Sequence, residues 1–267
     1  MLRQRVELKT PEMIEAMRPA GRLVAEALVR VRQAVRPGVT TAELDAIIEQ
    51  LFIERNAISL FKGYRGKTPF PAVTCISVNE EVVHGIPGSR VLQEGDLVSI
   101  DTGCSLGGWC GDSAMTIGVG KISPEKQRLW DCAEGTLKLA IEEMGRQRKW
   151  SQVAVRMQDY VHSHGYSVVE QFVGHGIGRT MHEEPQVPNF LARNWLKHDF
   201  WLDEGLVIAV EPMVNMGSKK VRVLSDNWTV ETVDRQPSVH VEHTLAITSN
   251  GVEILTDRTP FERLASG

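Results

Sequence analysis

Read as apolar and polar positions, the chain divides into a helical opening, a stranded middle, a second helical stretch and a stranded tail. Apolar residues recur at helical spacing through Met13, Met17, Leu23, Val24, Ala27, Leu28 and Val31. Thr10 supplies an N-cap and Pro11 a first helical position, so a helix is predicted that Arg36-Pro37-Gly38 ends. Pro19 sits inside this pattern and is expected to kink the helix or split it near Arg18. Thr40-Thr-Ala-Glu43 reads as a capping box opening a second helix to about Arg55.

Residues 72–83 are β-rich and stop at His84-Gly85-Ile86-Pro87-Gly88, a Gly/Pro turn that carries a histidine. Residues 98–116 form two apolar, β-branched runs about Gly107-Gly108 and predict a β-hairpin. With Leu106 and Gly107 as the turn, Asp101 falls opposite Asp112, with Cβ atoms roughly 5 Å apart. Carboxylates that close repel unless they share a proton or a cation.

The plan then repeats. Ser123-Pro124-Glu125 starts a helix to Gly145, a second runs from near Ser151 to Gly165, and a strand over 167–173 leads into Gly174-His175-Gly176-Ile177-Gly178. The tail alternates strands at 206–210, 220–224, 228–232, 238–248 and 252–256 with turns at Ser225-Asp226-Asn227 and Ser249-Asn250-Gly251. Both halves, about 10–120 and 121–257, read helix, helix, strands. No linker rich in Pro, Gly or Ser separates them, so residues 1–267 are expected to form one domain of two related halves with a site at their junction.

Composition narrows the class. At 267 residues, 42% hydrophobic and 24% charged, the chain suits a soluble globular protein. No apolar run reaches membrane-span length and the N-terminal stretch lacks a signal-peptide core, so a cytoplasmic protein without a membrane partner is expected. A net charge of −4 gives no electrostatic reason to expect nucleic acid as a partner. Cys75, Cys104, Cys110 and Cys132 lack C-x-x-C spacing and read as reduced thiols.

Several familiar motifs fail on inspection. Gly174-x-Gly176-x-Gly178 has the wrong spacing for a dinucleotide loop, His182-Glu-Glu-Pro-Gln186 is not H-E-x-x-H, and no P-loop occurs. What remains is a set of acidic residues and histidines at strand ends. Asp101, Asp112, Glu211 and Glu242 stand where apolar strand patterns call for neutral residues. Buried together without cations they would be prohibitive, and two divalent cations would neutralise all four. His175, with glycines on both sides, would complete an oxygen-rich ligand set suited to Mn, Fe, Co or catalytic Zn. Paired metals of this kind activate water and polarise a carbonyl.

His84-Gly-Ile-Pro, Ser99-Ile-Asp101, Gly111-Asp112-Ser, Gly174-His175-Gly-Ile-Gly-Arg, Met181-His182-Glu-Glu-Pro, Val210-Glu211-Pro-Met-Val and Val241-Glu242-His-Thr occur in order along nearly the whole chain. Taken together, this series resembles the methionine aminopeptidases. The resemblance implies the pseudo-two-fold pita-bread α/β (α+β) fold, a central antiparallel-rich sheet covered by helices. It implies an enzyme that removes the N-terminal methionine from nascent proteins with two divalent metal ions (Co, Mn, Fe or Zn). Asp101 would chelate one metal, Asp112 and Glu242 would bridge both, and His175 and Glu211 would bind the other. Glu211 would also act as general acid/base, with His84 and His182 as catalytic histidines in contact with the substrate.

The resemblance further implies an apolar methionine pocket near Cys75, Trp228 and an aromatic at Tyr64 or Phe70. Met181 stands where an aromatic is expected, and residues 189–202 depart from the usual pattern. The short interval from His182 to Glu211, with Cys75, resembles the type I enzyme, and with no zinc-finger stretch before Thr10 a minimal bacterial-type form is expected. A monomer that meets N-terminal Met-peptides in the cytoplasm, in transient contact with the ribosome, is the expected setting. Two other readings remain open at this point. One is an X-Pro aminopeptidase or prolidase, which shares the five metal ligands; the other is a metal-free pita-bread binding protein.

Overall fold

The structure, a computed structural model, describes residues 6–191 and 195–265. Residues 1–5 of the N-terminal stretch, 192–194 of the 189–202 segment, and 266–267 lie outside the described residues. Helix α1 spans Pro11–Ala34, with the Thr10 side chain accepting from the Met13 N–H, and α2 spans Thr41–Glu54 behind the expected capping box of Thr40 and Glu43. Helix α3 spans Pro124–Met144 and α4 spans Trp150–Ser163. Of the two outcomes expected at Pro19, a kink or a split, the split does not occur: α1 runs unbroken through it. Lacking an N–H, Pro19 leaves the Glu15 carbonyl without its helical donor, but both residues are exposed, where water serves that carbonyl.

Among the described residues the strands pair antiparallel. One sheet joins Ile58–Ser59, Leu97–Leu106, Cys75–Val78 and Trp109–Gly118. A five-stranded sheet runs Gly251–Ile254, His243–Thr248, Val207–Val210, Gly174–Gly176 and Glu183–Val187. Two three-stranded sheets complete the set, one of Ser238–His240, Met213–Asn215 and Ser167–Val168, the other of Val221–Val223, Val230–Thr232 and Glu81–Val83. Leu23, Val24 and Leu28 of α1 and Leu44 and Ile48 of α2 bury their apolar face against Ile76, Val98 and Ile100 of the first sheet. Leu129 and Leu137 of α3 with Trp150 and Met157 of α4 do the same against Val210, Val214 and Val239. The result is a mixed α/β architecture of antiparallel sheets under two helix pairs.

The hairpin departs from the expected register in an instructive way. Gly107 and Gly108 both adopt positive φ, 61° and 76°, so they form the two-residue turn together. Asp101 therefore pairs with Ala114 and Gly103 with Asp112, so a turn moved by one residue sets Asp101 two positions from a direct pairing with Asp112. Because side chains alternate along a strand, the two aspartates still share one face as diagonal neighbours. Two other strands are shorter than the sequence pattern predicts. Only Ser167–Val168 of 167–173 is strand; the chain then bends at Glu170-Gln171, and Phe172 and Val173 face the cavity described below. The 238–248 run breaks at Val241-Glu242 into Ser238–His240 and His243–Thr248.

Side-chain hydroxyls hold the broken run to the hairpin. Ser113 Oγ donates to the Glu242 carbonyl (2.6 Å), Thr116 Oγ1 to the His240 carbonyl (2.8 Å) and Thr244 Oγ1 to the Asp112 carbonyl (2.7 Å). The Glu242 N–H donates to the Ala114 carbonyl at 2.9 Å. All four cysteines are buried free thiols. Among the described residues, no helix is long and apolar enough to cross a membrane.

Candidate active site

The sheets and the loops between them enclose a cavity of about 300 Å³. Asp101 and Asp112 enter it from the hairpin, His175 from strand Gly174–Gly176, Glu211 from the residue after strand Val207–Val210, and Glu242 from the break in the tail run. Close approach explains the glycines. A Cβ on Gly174 would stand 2.3 Å from the Ala209 carbonyl oxygen, one on Gly176 2.2 Å from that of Glu184, and one on Gly103 2.9 Å from Asp112 Oδ1.

Donor atoms of Asp112, His175 and Glu242, all buried, lie within 4.8 Å of one another. His175 Nε2 stands 3.6 Å from Glu211 Oε1 and 3.9 Å from Asp112 Oδ2. Its Nδ1 lies 2.9 Å from the Gly176 carbonyl, which can only accept. Nδ1 therefore carries the proton and Nε2 turns a lone pair toward the carboxylates, the arrangement of a metal-ligating imidazole. Asp101 lines the same cavity and pairs in register with Cys75.

Burial sets the electrostatics. It pushes Asp112 up to about 7. Asp101 and Glu211 are driven well above the ordinary carboxylate range by burial and then by neighbouring carboxylates. Glu242 rises for the same reasons, eased by Arg258. Burial lowers His175 and His84 to about 4 and depresses His182, so these imidazoles are neutral near pH 7. Asp101 Oδ1, Asp112 Oδ1 and Glu242 Oε1 are buried and accept no hydrogen bond. Orphaned buried carboxylate oxygens are costly unless a cation satisfies them, and a neutral imidazole among hard oxygen donors fits a divalent transition metal.

The remaining candidates gather around this centre. His182 Nδ1 lies 2.8 Å from the Tyr64 hydroxyl, and its ring packs edge-on to His175 at 4.3 Å. His84 holds a left-handed φ of 60°, a strain of about 1–2 kcal/mol for a non-glycine residue, while its ring meets Phe172 at 5.4 Å and Trp228 at 6.4 Å. Phe70 and Trp228 are edge-to-face at 5.2 Å, and the Trp228 indole N–H donates to the Thr68 carbonyl at 3.0 Å. Cys75, Phe61, Phe70 and Ala72 form one apolar cluster against which Met181 and Trp228 pack. Every site residue proposed from the sequence lines this one cavity.

Sequence reasoning missed His240, Phe61, Phe172 and Met213 on the cavity wall. His240 had a signal: it lies two residues before Glu242 in a run read as one strand, where alternation would put both on one face. Phe61 and Phe172 had none, because nothing in an apolar run says that the chain will bend there. In the 189–202 segment, Phe200 stacks on Trp150 at 5.9 Å and Phe190 meets Trp195 at 6.3 Å. The described part of that segment packs on α4, where Asp199 accepts from Ser151, and Asn189 Nδ2 donates to the Glu211 carbonyl at 3.1 Å.

A sheet-lined cavity of buried carboxylates and neutral imidazoles defines a metal-dependent hydrolase, and comparison with known proteins agrees. The model of metallopeptidase family M24 matches residues 15–249. A methionine aminopeptidase from Bacillus subtilis is 46% identical over 93% of this chain and 98% of that protein. One from Escherichia coli is 42% identical over 95% and 94%. The crystal structure of methionine aminopeptidase from Thermotoga maritima superposes with a TM-score of 0.89 at 39% identity, covering 95% of this chain and all of that one. Prolidase from Pyrococcus furiosus, at 22% identity and a TM-score of 0.72, shares the fold alone. The chain belongs to metallopeptidase family M24, on its methionine aminopeptidase branch.

Proposed function

We propose that this aminopeptidase uses two divalent cations to release methionine from the N-termini of nascent chains. The reading rests on one observation above the rest: buried carboxylate oxygens without partners converge with the free Nε2 of His175. Asp112 and Glu242 would be shared between two cations, Asp101 would chelate one, and His175 with Glu211 would complete the other. The donor chemistry suits Co, Mn, Fe or Zn. Cations bound there supply Lewis acidity, which acidifies water and polarises a peptide carbonyl.

The protein's own groups do the rest. Glu211 accepts a proton and passes it to the leaving nitrogen, the general acid/base role of a carboxylate within reach of both. Neutral His182 donates a hydrogen bond to the oxygen on which charge develops, and His84 holds the peptide. Phe70, Cys75, Tyr64 and Trp228, joined by Phe61 and Met181, surround the methionine side chain. The two related halves, about 10–120 and 121–257, act as one catalytic unit around this junction. The enzyme works in the cytoplasm as a monomer and meets its substrates in transient contact with the ribosome.

Two measurements test the assignment together. Equilibrium binding of Mn to metal-stripped protein is expected to give two cations per chain, falling on Asp112→Asn. His182→Ala is expected to bind both cations yet lose kcat by about 100-fold. Equal loss of cations and kcat in His182→Ala would remove His182 from the substrate side of the site.

A further inference from the structure

His182 is delivered by a tight turn, and the turn is fastened from both sides by groups outside the cavity. On one side it is tied to the hairpin tip. The Cys110 N–H donates to the Gly178 carbonyl (2.8 Å), Arg179 Nη1 donates to the Gly108 carbonyl (3.0 Å), and the Arg179 guanidinium lies 3.7 Å over the Trp109 ring. On the other side stands Glu183, the residue after His182. Its Oε1 accepts the backbone N–H groups of Arg179 (2.8 Å) and Thr180 (3.1 Å), closing the turn on itself. Its Oε2 takes the ammonium of Lys9 at 2.6 Å.

Lys9 arrives from the segment before α1, where its own N–H is fixed to the Gly205 carbonyl at 2.6 Å. It is a lysine of unusual placement, only 4% exposed, with Glu7 as a second partner at 2.5 Å. Buried lysines are rare unless paired, an ion pair shielded from solvent is screened far less than one on the surface, and removing one partner leaves a buried charge unpaired. The packing leaves no slack. A Cβ on Gly178 would stand 2.6 Å from Lys9 Cε and 2.7 Å from Glu183 Oε1.

We infer that Lys9 and Glu183 are positioning residues for His182: their ion pair locks the 178–183 turn so that the imidazole faces the substrate. Neither side chain lines the cavity, so they act through the turn. The N-terminal segment thereby becomes part of the catalytic apparatus. The inference rests on the substrate-side role of His182 given above, and it extends that role to one residue beside it in sequence and to another near the start of the chain, Lys9 and Glu183 being 174 positions apart.

The test compares Lys9→Met, Lys9→Arg, Glu183→Gln, Glu183→Ala and His182→Ala with both cation sites saturated by Mn. Assays run well below each variant's Tm. Glu183→Ala, which removes the turn closure and the ion pair, is expected to lower kcat on the order of 100-fold with KM and cation content near wild type. Glu183→Gln keeps an acceptor for the two N–H groups and Lys9→Met removes only the ammonium, so each falls by about tenfold. The double variant Lys9→Met/Glu183→Gln falls no further than either, because both changes delete one pair. Lys9→Arg restores kcat. A merely structural pair would lower Tm and leave kcat untouched, and that outcome overturns the inference while His182→Ala remains impaired. A His182→Ala protein with wild-type kcat would instead overturn the role of His182 itself, and the inference with it.

Discussion

The Tyr64 hydroxyl and Nδ1 of His182 are 2.8 Å apart, with the two rings edge-on at 5.5 Å. When the phenol donates, Nδ1 is the acceptor and the proton sits on Nε2, the tautomer the proposed hydrogen-bond donor needs. Tyr64→Phe keeps the ring on the pocket wall and removes only this bond. Its kcat for a methionyl peptide is expected to fall about tenfold, the kinetic equivalent of one bond of ~1.4 kcal/mol. Steady-state kinetics with cation content measured alongside checks this; an unchanged kcat would remove the phenol from the mechanism.

Cation binding and pH are linked with a definite sign. Asp101, Asp112, Glu211 and Glu242 all sit above their ordinary values, so the metal-free fold holds protons there that the unfolded chain releases. For Asp112 the stabilising contribution is present below its ordinary value of 3.8 and is lost as pH rises through about 7, and the other three shift in the same direction. Cations bind the deprotonated carboxylates, and His175, lowered to about 4, is already neutral across this window. The Tm gap between Mn-loaded and chelator-treated protein is therefore expected to widen between about pH 5.5 and about pH 7.5. A gap that stays constant would mean that these carboxylates are not the ligands.

Gly176 has no room for a methyl group, since a Cβ there would lie 2.2 Å from the Glu184 carbonyl oxygen. Gly176→Ala must push strand Gly174–Gly176 away from its neighbour and take His175 with it. Overpacking of this kind costs about 1–3 kcal/mol, read as a lower denaturant midpoint, and cation affinity should fall in parallel. Full affinity in a destabilised variant would show that His175 does not depend on this strand for its place.

Trp228 meets Phe70, Tyr64 and His84 edge-on. Trp228→Ala opens the wall around the proposed methionine side chain. KM for a methionyl peptide is expected to rise by about tenfold or more, since a buried side chain of this size contributes roughly 1.5–3 kcal/mol. Preference for methionine over alanine at the first position should narrow in the same assay.

Much of this was legible in the sequence, and the misses share a cause. Thr10, Pro11, Thr40, Glu43, Ser123 and Pro124 announce helix starts because capping chemistry is local, and the helices begin there. The hairpin was legible but its register was not, since one residue of turn position decides whether Asp101 faces Asp112 or Ala114. The ligand candidates stood out because acidic residues in apolar strands conflict with burial. The apolar wall did not stand out. Phe61, Phe172 and Met213 look like any core residue until the fold leaves a cavity beside them. Nor does spacing predict that Lys9 reaches Glu183 across the chain.

If cations held by Asp101, Asp112, His175, Glu211 and Glu242 make this cavity a methionine-releasing site, turnover must follow cation occupancy. The most direct measurement is free methionine released from Met-Ala-Ser by metal-stripped protein, before and after stepwise addition of Mn, with an X-Pro peptide run in parallel. The expected result is no release without the cation, release that rises as the sites fill, and none from Glu242→Ala under the same conditions. The X-Pro peptide should stay intact. Release by the metal-free protein, or silence with every site filled, would contradict the assignment.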